Sequence, residues 1–346
     1  MLFKHLSILT LISLSAGLPL AISTLLPGSA VAAEDLSRGV LLVANKGDHT
    51  LGIIDPVAGR QIATVDEDGV TGHEVAASPD GRRAFVPIYG NSGVGGKGTD
   101  GSLMRVIDLP SQRIIGTVDF GKGVRPHCAV FGPQNGRLYV TTELDQSVSV
   151  IDPATLKVVA TIPTGRPLSH MLALAHDGRH GYTCNVGSGS VSVLDLEAHK
   201  LVTVIPVAPR AQRIALTVDD RWAITADQTK PQLAFINTAS NVVARWVSLP
   251  AKAYGTAATP DGRWLLVTLP SLKQVGALDL QTMKLEHTFD VPATPQEIVI
   301  RPDGGAAFVS CDASHQVAML DLKAWKVEKL IAAGPGADGL AWAAIR

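Results

Sequence analysis

The chain is short of the residues that most readily betray a chemistry. Its three cysteines, Cys128, Cys184 and Cys311, are far apart and odd in number, so they form no disulfide framework. No C-x-x-C or C-x-x-C-H offers zinc binding, dithiol exchange or covalent haem, and the cysteines read as small buried hydrophobes. Charged residues make up 18% and the net charge is −1, with no charged run. Such a balance leaves no electrostatic footprint for nucleic acid or an anionic membrane, and neither is expected as a partner. G-x-S-x-G and H-E-x-x-H are absent. Beyond residue 34 no stretch carries a 3.6-residue apolar period, which argues against helices.

What the chain does have is apolar residues, 46%, and turn formers, with 33 Gly and 21 Pro. Residues 1–33 stand apart. Lys4 is the one charged residue before Glu34, Leu6 to Leu26 is apolar, and Ala30-Val31-Ala32 supplies a small-x-small cleavage site. This pattern predicts a secretory signal peptide, export to the periplasm and no membrane span after cleavage. Residues 34–346 are then one domain.

That domain repeats. Arg137 to Gly165 contains Leu138-Tyr-Val-Thr-Thr, Ser147-Val-Ser-Val-Ile and Lys157-Val-Val-Ala-Thr-Ile, three strand patterns joined by turn residues, with Asp152-Pro153 opening the last turn. The residue at that turn recurs as Asp55, Asp108, Asp152, Asp195, Asn237, Asp279 and Asp321, mostly 42 to 44 residues apart. An upstream turn recurs as Ser78-Pro-Asp-Gly81, Thr259-Pro-Asp-Gly262 and Arg301-Pro-Asp-Gly304. Seven units of about 42 residues without helical period predict an all-β, seven-bladed propeller of four-stranded blades. The first unit lacks its innermost strand, and Ala337 to Ile345 matches the missing piece. The C-terminal strand is therefore expected to close blade one. A base lies five residues after most turn acids (Arg60, Arg113, Lys157, Lys200, Lys284, Lys326) and predicts a cross-turn charge pair.

Tyr139-Val-Thr-Thr142 and Tyr182-Thr-Cys-Asn185, each followed by S-V-S-V-[IL]-D, resemble the YVTN-repeat family of seven-bladed propellers over residues 39–346. The resemblance implies the fold much more than an activity. Relatives of this architecture include periplasmic proteins, the haem propeller of a nitrite reductase, amine dehydrogenase large subunits and lactonases.

Counting back from the upstream turn gives the start of each innermost strand: His73, His127, His170, Gln212, Tyr254 and Gln296. Three adjacent blades thus place histidine at one equivalent position, at the mouth of the central channel. Converging imidazoles would suit a transition metal, haem or acid–base work, so His73, His127 and His170 are candidate metal ligands. Glu74, Arg125, Arg166, Arg213, Glu297 and Asp338 neighbour them. Blade two also carries an insertion, Tyr89 to Gly101, with six glycines among residues 90–101. It emerges on the same face, which makes it a lid over the mouth or a tolerated surface loop. It is no phosphate loop, because Asn91 stands where glycine is required and Gly98 follows Lys97. Arg125, Arg213, Glu74, Gly95 and Lys97 are the candidate ligand-binding residues. The leading expectation is a monomeric, non-enzymatic binding scaffold for an envelope protein or small ligand. The alternative is a metal- or haem-dependent enzyme or redox protein resembling the nitrite-reductase propeller or a lactonase. The mouth positions hold His and Gln where metal-dependent lactonase propellers use acidic and Asn ligands.

Overall fold

A computed structural model describes residue 35 and residues 37–345. The signal-peptide expectation lies outside these residues. The described chain forms seven four-stranded antiparallel sheets, and consecutive strands pair as neighbours within each. The innermost strands are Ala76–Ala77, Pro126–Phe131, Ser169–Leu174, Ile214–Leu216, Thr256–Ala258, Pro295–Ile300 and Ala337–Ala344. Each touches the next in that order, and Ala337–Ala344 touches Ala76–Ala77, which closes the ring. The protein is an all-β, seven-bladed propeller.

Closure follows the sequence expectation. Ala337–Ala344 pairs antiparallel with Gly39–Asn45, from Gly39 opposite Ala344 to Asn45 opposite Ala337. Leu340 and Ala343 are buried there beside Leu41 and Leu42. The middle two strands of each blade are buried on both faces, so Leu42, Phe85, Val140, Phe235, Leu266 and Phe308 pack between neighbouring sheets. Outermost strands alternate instead: Lys157–Pro163 exposes Val159, and Lys326–Ala332 buries Ile331 but exposes Leu330.

The repeated turn acid works differently from the expected charge pair. In every blade a side-chain oxygen of that residue caps its own turn. Asp55, for example, accepts the N–H groups of Val57 and Ala58 at 2.9 and 3.0 Å. Asn237 does the same for Ser240 at 3.0 Å, so an amide oxygen suffices in blade five. Where the carboxylate has an ion-pair partner, it is an arginine at the preceding strand: Arg137 with Asp152, Arg179 with Asp195 and Arg263 with Asp279. Among the described residues none of the bases five positions on forms an ion pair. They are exposed across the turn, where water screens them.

Candidate ligand site at the channel mouth

Two local devices aim the start of the innermost strand inward. In four blades the residue just before that strand has a positive φ: Arg125 at 50°, Leu168 at 57°, Thr294 at 60° and Gly336 at 66°. In the same blades the ladder then slips. Pro126 pairs with Thr142 and Ala129 with Val140, leaving His127 and Cys128 in a bulge; His170 with Met171, Gln296 with Glu297 and Asp338 with Gly339 repeat it. A bulge turns its side chain off the regular alternation. Thr141 fixes one bulge to the next blade: its Oγ1 accepts the Cys128 N–H at 2.9 Å and donates to the His170 carbonyl at 2.7 Å.

The result is a ring of seven side chains. His73, His127, His170, Gln212, Tyr254, Gln296 and Asp338, one per blade, all line a cavity of about 280 Å³. Six of these positions follow from the repeat. Asp338, expected as a neighbour, is the seventh member. Lys46, Arg210, Gln228, Gly93 and Val94 complete the main lining.

The three histidines do come together, but not as a ligand set. His127 lies on His170 with ring centroids 3.6 Å apart and planes 28° apart, and His73 meets His127 edge-on at 5.8 Å. His170 Nδ1 is bonded to Glu143 Oε1, and its Nε2 lies 3.0 Å from Gln212 Nε2. With the amide donating, Nε2 carries the lone pair and Nδ1–H faces the carboxylate. Both nitrogens of His170 are thus engaged and two rings are stacked face to face. Among the described residues no group of three or more His, Cys, Asp or Glu is disposed to hold a metal. The residues as arranged do not fit a three-histidine metal centre.

Charge around the ring is set by burial. Burial pushes His73 down to about 4 and holds His127 well below the ordinary imidazole range, with neighbouring cations and His170 adding to the second. His127 Nδ1 is buried and has no partner. Glu143 accepts from the Tyr89 hydroxyl at 2.7 Å as well as from His170. Tyr89 is itself pushed up by burial and then by the Glu143 charge.

Beneath the ring a second set crosses the channel. Arg213 of blade five contacts Glu297 of blade seven, Glu74 of blade two at 3.1 Å and Asp338 of blade one at 3.3 Å. Desolvation raises Glu74 well above the carboxylate range, with repulsion from Glu297 next, and desolvation also raises Glu297. Burial works against the Arg213 charge, yet Glu297 and Glu74 hold it well above its usual value. Glu74 therefore belongs to an ionic plug, and Arg213 joins that plug to the cavity wall.

Arg125 is not in the cavity. Its Nε donates to Asp100 Oδ1 at 2.6 Å, its Nη2 to the Gly96 carbonyl at 2.7 Å, and its guanidinium lies 5.6 Å from the Tyr89 ring centre. It straps the glycine-rich insertion to blade three, so that Gly93 and Val94 overhang the mouth. Gly95 packs towards Leu168, and Lys97 is exposed and outside the lining. Arg166 is exposed and also outside it.

Glu143, Lys46 and Gln228 were not picked out by the repeat count, yet they share one position, the first residue after the second strand of a blade. Pro270 and Asp312 occupy it in blades six and seven. Reading that column down the repeat would have found them.

A seven-bladed propeller with a polar, partly charged mouth is thus the class that fold and site define. The chain belongs to the lactonase seven-bladed β-propeller family, whose model matches residues 57–241, more than half of its 346 residues. This is compatible with the YVTN resemblance. No match was found among curated proteins. Among solved structures the chain is similar to a functionally unknown protein from Desulfotomaculum acetoxidans, with TM-score 0.73, 13% identity, and coverage of 88% of this chain and 99% of that one. It is also similar to Kuenenia stuttgartiensis hydrazine synthase, with TM-score 0.50, 16% identity, and coverage of 72% and 95% respectively. At these identities both likenesses speak to fold alone.

Proposed function

We propose that the channel mouth binds a small polar molecule and that its bound ligand is a cyclic ester, which the site opens by hydrolysis. The observation that carries this is the chain Glu143–His170–Gln212 at the cavity wall. Glu143 orients the imidazole and stabilises its cation, leaving the Nε2 lone pair towards the cavity. A water that replaces the Gln212 amide at Nε2 gives up its proton there as its oxygen bonds to the ester carbonyl. Collapse breaks the ring C–O bond, and the same proton returns to the leaving alkoxide, giving a hydroxy acid. Arg210 lines the same cavity and supplies positive charge for the developing oxyanion, whereas Lys46 is held between Asp312 and Asp338 at 3.1 Å each. Family membership supports the ester class.

A binding scaffold without turnover is the second reading, favoured by the unpartnered His127 Nδ1 and Gln228 Nε2 at the mouth. Export through residues 1–33 and a monomeric state remain part of the proposal. The deciding experiment is a pH-stat assay of γ- and δ-lactones with the purified full chain, alongside calorimetric binding. Turnover abolished in His170→Gln supports hydrolysis. Saturable binding with no acid release leaves the scaffold, and neither signal overturns both.

A further inference from the structure

We propose that the mouth has an outward subsite between blades five and six that takes a short alkyl tail, so the ligand is an amphiphile with its polar head in the ring. This rests on the mouth being the ligand site. A second cavity of about 250 Å³ shares Gln228 and Tyr254 with the mouth, so the two adjoin across these side chains. Its other walls are Lys252, Ala253, Pro270 and Ser271.

The chemistry changes along this path. At the junction Gln228 Nε2 is a buried donor without a partner, suited to a ligand carbonyl. Beyond it the Tyr254 hydroxyl is drawn to the ring. Its hydroxyl accepts from Gln212 Nε2 at 2.9 Å, and Arg213 covers the ring at 5.0 Å. What Tyr254 leaves for the groove is carbon, as do Ala253 and Pro270. At the outer end Ser271 and Lys252 are exposed, and Lys252 has no ion pair among the described residues. On the far side of the mouth the insertion strapped by Arg125 overhangs the cavity, so an extended ligand has its room on the blade five–six side. A carbonyl head followed by a straight apolar chain matches this order of donor, apolar wall and solvent.

The test is calorimetric titration of the full chain with two series of one head each: γ-butyrolactone, γ-hexalactone, γ-octalactone and γ-decalactone, then acetate, butyrate, hexanoate and octanoate. Affinity should rise roughly fourfold per added methylene until the tail reaches solvent, then level off. Ser271→Trp, an exposed position that should fold, fills the outer end and should bring γ-decalactone down to the affinity of γ-butyrolactone. A wild-type unfolding temperature in that variant rules out misfolding. Lactones that bind with no chain-length dependence overturn the subsite while leaving the lactone reading intact. Alkanoates that show the dependence while no lactone binds keep the subsite and remove the ester class. Binding of neither series, or a chain-length gain untouched by Ser271→Trp, overturns the subsite.

Discussion

His127 lies flat on His170, ring centroids 3.6 Å apart, and Glu143 touches only the second of them. Stacking sets each ring where a charge on the other would repel it. The buried His127, without an acid, stays neutral and serves as a floor for the reactive ring.

Glu143→Gln should therefore lower kcat for lactone opening by roughly 10²-fold or more while KM changes little, because the base loses its orienting anion and not its ligand contacts. The split between kcat and KM in a steady-state assay checks this. Equal loss in both would make Glu143 a structural residue.

Arg125→Ala should free the glycine-rich insertion. Both guanidinium bonds, to Asp100 and to the Gly96 carbonyl, disappear together. Limited proteolysis should then cut between residues 91 and 99 at least tenfold faster than in the wild type. Arg125→Lys should restore little, since one ammonium cannot reproduce the forked contact. Unchanged cleavage in both variants would dismiss the strap.

Arg213→Met should destabilise the fold by about 3–5 kcal/mol, because Glu74, Glu297 and Asp338 would be left buried without their cation. Adding Glu74→Gln and Glu297→Gln should recover much of that loss. Urea unfolding of the single and triple variants measures it.

Stability should follow pH through two groups of opposite sense. Burial raises Glu67 to about 7, while its Oε2 accepts the Gly72 N–H at 2.7 Å. Its native state holds a proton that the unfolded chain has released, so its contribution is complete below about 4.5 and is lost as pH rises through about 7. His73, held neutral by burial, loses its contribution as pH falls from about 6.5 through about 4. Glu67→Gln should remove the alkaline loss, about 3 kcal/mol by the size of the shift, and expose the acid one. His73→Gln should do the reverse. Thermal melts from pH 4 to 8 separate them; flat curves in the wild type and both variants would count against both burials.

The ring was legible because a propeller writes each blade in the same register: a spacing of about 42 residues carries His127 to His170, Gln212, Tyr254 and Gln296 in equivalent places. Closure was legible too, since Ala337–Ala344 has the apolar pattern blade one lacks. Less could be read where one repeat position carries unlike residues, as Lys46, Glu143, Gln228, Pro270 and Asp312 do. Glu143 follows an ordinary strand ending, and its meeting with Tyr89 and His170 joins blades two, three and four. Nor does sequence spacing tell stacked imidazoles from convergent ones; that depends on bulges and positive φ angles at Arg125 and Leu168. The turn acids misled for a related reason. A base five residues on looks like a partner, but the turn's own N–H groups are nearer and geometrically fixed.

Blade one joins residue 39 to residue 344, so its innermost strand is synthesised after every other strand of the ring. Until then Leu41 and Leu42 have no inner neighbour, and blades one and two cannot be latched at Gly81, where a Cβ would sit 1.7 Å from the Ala344 carbonyl oxygen. The ring thus has a built-in order of assembly. However early the middle blades form, the mouth takes its final shape only after residue 344 has emerged from the ribosome, and a chain stopped before residue 338 lacks both the latch and Asp338, the seventh side chain of the site.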